Sequence, residues 1–154
     1  MNKTRRHGLQ AASAGGLYAA LVAIGMVRPG TAVAATEDIF LTKGIKNTLE
    51  AMGAKDATES GEISLIAPDI AENGAVVPVR MSSTLPKTEM LALLVEKNPN
   101  ALAGSFEILG DTKPEVSMRI KMGQSSDIVA VVKADGKFYT ARKEVKVTLG
   151  GCGG

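Results

Sequence analysis

The residue best suited to covalent chemistry is Cys152, the sole cysteine, set in the run Gly150-Gly151-Cys152-Gly153-Gly154 at the end of the 154-residue sequence. A thiol can form a sulfur–sulfur bond and later be released by exchange or hydrolysis. Its setting is a poor structural one. Glycine has no side chain to pack and loses the most backbone freedom on ordering. A core cysteine would sit in a hydrophobic run, and this one does not. The residues therefore predict a slim, flexible arm with one sulfur near its tip. Extended residues span ~3.3–3.6 Å each, so from Leu149 the sulfur reaches about 10–14 Å. That suffices to enter a pocket of another protein.

Other chemistries are removed by composition. The single histidine, His7, lies in an N-terminal leader, so the chain beyond it has none. Cys–His pairs, Ser–His–Asp triads and the commonest metal ligand go with it. The carboxylates show no paired-acid spacing, and no metal site or cofactor motif is found. This argues against a free-standing enzyme. An ordinary thiol, with a pKa of about 8.5, is only a few per cent ionised at neutral pH. The tail offers no Lys, Arg or His to activate it, so activating groups are expected on partner proteins.

Residues 1–34 read as an export signal. Arg5 and Arg6 open it, an uncharged stretch rich in Ala, Gly and Leu runs from Gly8 to Val27, and Ala32-Val33-Ala34 ends it, with cleavage expected between Ala34 and Ala35. The paired arginines and moderate hydrophobicity favour the twin-arginine (Tat) route to the periplasm. Gly8 departs from that motif, where a bulky apolar residue is usual, and an ordinary secretory signal is the alternative. Arg28-Pro29-Gly30 speaks against a membrane anchor, so no stable membrane insertion of the mature chain is expected. The full chain carries 18 Lys and Arg against 16 Asp and Glu. Removing Lys3, Arg5, Arg6 and Arg28 leaves 14 basic residues against 16 acidic, a net charge of −2. With no basic run and no aromatic stacking platform, nucleic-acid binding is not expected. A lone cysteine in an exported chain points to intermolecular pairing or a working thiol.

The elements that must position this arm read mostly as strands. A helix is expected over Ile39–Met52, with Ile45, Leu49 and Met52 on one face and Gly53 as its stop. Strands are expected at Ile63–Ala67, Ala75–Met81, Met90–Val95, Ala101–Leu109, Val116–Met122, Ile128–Val132 and Phe138–Leu149. Pro78 implies an edge position or a bulge, and Gly104 a bulge. Asp135-Gly136 marks a hairpin turn. About 115 residues, 35–149, thus predict one all-β domain, an immunoglobulin-like antiparallel β-sandwich, with residues 150–154 as the arm. Val76-Val77 and Ile128–Val132 carry apolar residues on both faces, which suggests that one face is hidden against a partner.

The export leader, the run Ala67-Pro68-Asp69-Ile70-Ala71-Glu72-Asn73-Gly74-Ala75-Val76-Val77-Pro78-Val79 and the terminal Gly-Gly-Cys-Gly-Gly together resemble the SoxY family of the periplasmic thiosulfate-oxidising (Sox) system. The resemblance implies a sandwich paired with a SoxZ-like subunit as a heterodimer. It implies that Cys152 bears the sulfur substrate covalently. It further implies three visiting enzymes: a haem-containing conjugating enzyme, a sulfate-releasing hydrolase and a sulfane dehydrogenase. Two other readings of the tail stand beside it. One is an exported adhesin-type subunit using Cys152 for a disulfide. The other is a ubiquitin-like carrier activated at the terminal carboxylate, which needs ATP that the export signal makes unavailable.

Overall fold

The computed structural model describes residues 38–148. Residues 38–40 are helical, and among the described residues these elements follow: α1 (Ile45–Ala51), β1 (Thr58–Glu59), β2 (Ile63–Ile66), β3 (Ile70–Ala71), β4 (Val77–Ser83), β5 (Thr88–Val95), β6 (Leu102–Glu107), β7 (Glu115–Ile120), β8 (Ser126–Ala134) and β9 (Lys137–Val147). The larger sheet has the order β1-β9-β8-β5-β6, with β3 also paired to β9. The smaller sheet has the order β2-β4-β7. The long pairings are antiparallel, but the two-residue strands β1 and β3 both pair with β9 in parallel. The expectation of an all-β antiparallel sandwich is met, and β1 and β3 add two short parallel pairings to it. Strands of two residues carry almost no periodic signal, so the sequence did not reveal them.

Alternation decides how the sheets face each other. Val77, Val79 and Met81 of β4, with Ile63 and Ile120, point inward against Leu91, Leu93 and Val95 of β5 and Ile128, Ala130 and Val132 of β8. The residues between them face the other way. In β5 and β8 these are Ala92, Leu94, Val129 and Val131, and they too are buried. Ile45 and Ala54 cover them, with Leu49, Met52 and Phe138 packed alongside. The chain's own helical segment therefore hides the second face of the large sheet. Doubly apolar strands predict burial on both faces; they do not say whose side chains do the burying.

Two local rules explain where elements begin and turn. The helix expected over Ile39–Met52 is broken: residues 38–40 are helical, the chain leaves the helix after them, and α1 restarts at Ile45 because Gly44 adopts φ 78° and ψ 147°, outside helical geometry and open chiefly to glycine. Buried Thr48 returns its Oγ to the Gly44 carbonyl at 2.8 Å, closing the first turn. At the other end of the chain Ala134 pairs with Lys137, and the two residues between them, Asp135 and Gly136, have φ of 49° and 74°. That is the pattern of a two-residue hairpin turn.

Pro78 and Gly104 behave as their chemistry requires. β4 is the central strand of its sheet, yet β2 ends where Ile66 meets Arg80, so Pro78 has a strand partner only in Arg119 of β7. Proline lacks a backbone donor and is tolerated where no second ladder needs one. The ladder between β5 and β6 shifts register between Leu93 and Leu94, leaving Ala103 as the extra residue beside Gly104. Among the described residues no helix is long and apolar enough to cross a membrane.

Candidate functional site

The expected attachment residue Cys152 lies outside the described residues, as do Leu149, Gly150, Gly151, Gly153 and Gly154. So do Arg5 and Arg6 of the export signal and the cleavage pair Ala34 and Ala35. What is described is β9, the strand that precedes the cysteine run in the sequence. β9 is the longest strand, with 11 residues, and it is embedded between β8 and the short strands β1 and β3. Its side chains alternate, with Val145 fully buried and Lys146 exposed.

The last turns of β9 are held from both sides. β8 supplies ladder partners only as far as Ser126, opposite Val145. Beyond that, the Ser125 side chain takes over. Its Oγ accepts from the Val147 amide at 2.9 Å and donates to the Val147 carbonyl at 3.4 Å. On the opposite edge, Lys146 N donates to the Asp69 carbonyl at 2.9 Å and Thr148 N to the Ala71 carbonyl at 3.1 Å. Lys143 Nζ adds an ion pair to Asp69 at 2.9 Å. These partners belong to the Ala67–Val79 run, whose role in holding β9 is invisible to periodicity. The Asp69–Lys146 and Ala71–Thr148 contacts join residues far apart in sequence, and no local signal announces them.

Charge is arranged at the opposite end of β9, about 33 Å away at the usual strand rise. There Glu89 accepts from Lys133 at 2.9 Å and from the Gly136 amide at 3.1 Å. The Lys133 hydrogen bond, followed by that of Gly136, holds its carboxyl below the ordinary range. Asp135 is lowered likewise by its 2.8 Å bond to Lys87, which in turn is raised. These groups lash the β8–β9 hairpin to the start of β5 and stand far from the end of β9 that precedes the cysteine run. Among the described residues no cluster of His, Cys, Asp or Glu could hold a metal ion.

The outer face of the small sheet carries Ile66, Pro78, Arg80 and Arg119 around a shallow open groove. Ile66, Ile70 and Val76 are each half exposed or more.

The whole is a two-sheet β-sandwich whose final strand is gripped at its end and leads directly into the cysteine run. The family of sulfur oxidation protein SoxY matches residues 48–152. The sulfur carrier protein SoxY from Chlorobium limicola f thiosulfatophilum is 38% identical in sequence, with a TM-score of 0.59, over 67% of this chain and 96% of that one. Superoxide reductases (neelaredoxins) from Ignicoccus hospitalis share the fold alone. One, at 20% identity and TM-score 0.52, is matched over 58% of this chain and 82% of its own. An E23A form, at 24% and 0.51, is matched over 64% and 87%. No curated protein matches the chain. The chain belongs to the SoxY family. It is a sulfur carrier of the Sox system, working with the partners of that system in sulfur oxidation.

Proposed function

We propose that Cys152 is the covalent attachment point, and that residues 150–154 form an arm presenting thiosulfate-derived cargo to partner enzymes. The observation that carries this reading is the extent of the family match, which runs from residue 48 through residue 152 and so includes the sole cysteine. Its chemistry balances. The Cys152 thiol and thiosulfate join through a new S–S bond, releasing one proton and two electrons, and the haem-containing conjugating enzyme takes the electrons. Water then cleaves the bond between sulfane sulfur and sulfonate. Sulfate leaves and a persulfide stays on Cys152, available to a sulfane dehydrogenase where that enzyme exists. The sulfonate cargo is anionic, so each visiting enzyme needs a basic pocket.

The same proposal includes a long-lived heterodimer with a SoxZ-like subunit, and export of the mature chain to the periplasm by the Tat route. The deciding experiment is intact-mass spectrometry of the full chain after incubation with thiosulfate and the conjugating enzyme. The parent gains one thiosulfate mass on Cys152, and Cys152→Ser gains none. An adduct on the Ser variant, or on the terminal carboxylate, defeats the reading.

A further inference from the structure

We propose that Gly74 and Ser125 are positioning residues for the carrier reaction, because they close a clamp on β9 that sets where the arm begins. The proposal rests on the reading of Cys152 as the cargo residue. Three consecutive amides carry the clamp, and they alternate in direction as strand geometry requires. Lys146 and Thr148 donate to carbonyls of Asp69 and Ala71, while Val147 donates to Ser125 Oγ. Each side alone would leave an edge open. Together they extend order three residues past Val145, the last residue that β8 pairs.

Gly74 is what lets the two sides approach. Met122 N donates to the Gly74 carbonyl at 2.7 Å. A Cβ at position 74 would collide with the Met122 carbonyl oxygen and lie 2.8 Å from Val147 Cγ1. Backbone sits on one side and the arm's root on the other, so neither yields cheaply. The backbone at Gly74 is not in the left-handed region, so alanine there tests close approach and nothing else. Ser125 is half-buried and its hydroxyl serves both polar groups of Val147.

The consequence is a defined arm length. With the clamp closed, the free chain starts after Thr148 and is four residues long up to and including Cys152, a reach of about 13–14 Å. With it open, the free chain starts after Val145 and is about seven residues long. Effective concentration of a tethered group falls roughly as the −3/2 power of tether length, so presentation to a docked enzyme drops about twofold. The change is confined to the root of the arm, so docking through the rest of the domain surface is expected to be unaffected.

The experiment uses the full chain with Gly74→Ala, Ser125→Ala and Ser125→Thr, in two readouts. Hydrogen exchange of the Val147 and Thr148 amides is expected to quicken by about fivefold or more in both Gly74→Ala and Ser125→Ala, because either change opens one side of the clamp, with Val131 in the core unchanged. Ser125→Thr keeps the hydroxyl and restores protection. Thiosulfate conjugation by the haem-containing enzyme is expected to show kcat down about twofold in the two alanine variants, KM for the carrier unchanged, and alkylation by iodoacetamide unchanged. Parent-like exchange in both alanine variants overturns the clamp. Faster exchange with parent-like kcat overturns its positioning role. If the parent chain itself acquires no adduct on Cys152, the carrier reading fails first and takes this one with it.

Discussion

In the proposed reading, the Cys152 thiol depends on its glycine neighbours having no side chains. If Gly151 serves slimness, Gly151→Val should hinder entry to a narrow enzyme channel and stiffen the chain. Turnover by the partner enzymes is then expected to fall, while alkylation of Cys152 by a small reagent stays near the parent rate. Equal loss of both would point to burial of the thiol instead. Cys152→Ser is expected to leave the denaturant midpoint within about 0.5 kcal/mol of the parent, as substitutions outside packed features do. A marked loss of stability would show that the sulfur packs against the domain.

At the scale of elements, α1 acts as a cover. Leu94 is fully buried beneath it, on the face of β5 opposite the inter-sheet core. Leu94→Ala is expected to cost about 2–5 kcal/mol, read as a shift in the urea midpoint. Were that face instead a partner surface left open in the free chain, the same change would cost little alone and would weaken the heterodimer. The hairpin network gives a pH signature. Glu89 and Asp135 titrate below their ordinary range in the folded state. Their contribution is therefore fully present above the ordinary carboxylate range and is lost as pH falls through the lowered folded values. Glu89→Gln should flatten the acid limb of stability against pH, with a small amplitude because the pair is exposed to solvent. An unchanged acid limb would show that other carboxylates set it.

For the molecule as a whole, the proposed twin-arginine export would require assembly to precede translocation. The Tat route carries folded cargo, so a partner without its own signal can cross attached to this chain. Arg5→Lys combined with Arg6→Lys is expected to retain both subunits in the cytoplasm, scored by fractionation. Partner found in the periplasm while this chain remains inside would end the co-export idea. It would leave the family membership, which rests on residues 48–152, untouched.

The sequence by itself determined what repeats locally. Period-two alternation in Val77–Met81 and Val116–Ile120 placed strands and their inward faces, and Asp135-Gly136 placed the hairpin. The SoxY resemblance was legible in the Ala67–Val79 run and the cysteine tail, because both are contiguous. Tertiary structure decided what depends on distant residues. Ile128–Val132 signals burial on both faces, but only folding shows that α1 supplies the second cover. β1 and β3 are strands because β9 lies beside them, with too few residues to hold that shape alone. The grip on the root of the arm joins Asp69, Ala71 and Gly74 to Ser125 and Val147. Hydrogen bonds across such separations follow from how the sheets pack, which no window of the sequence contains.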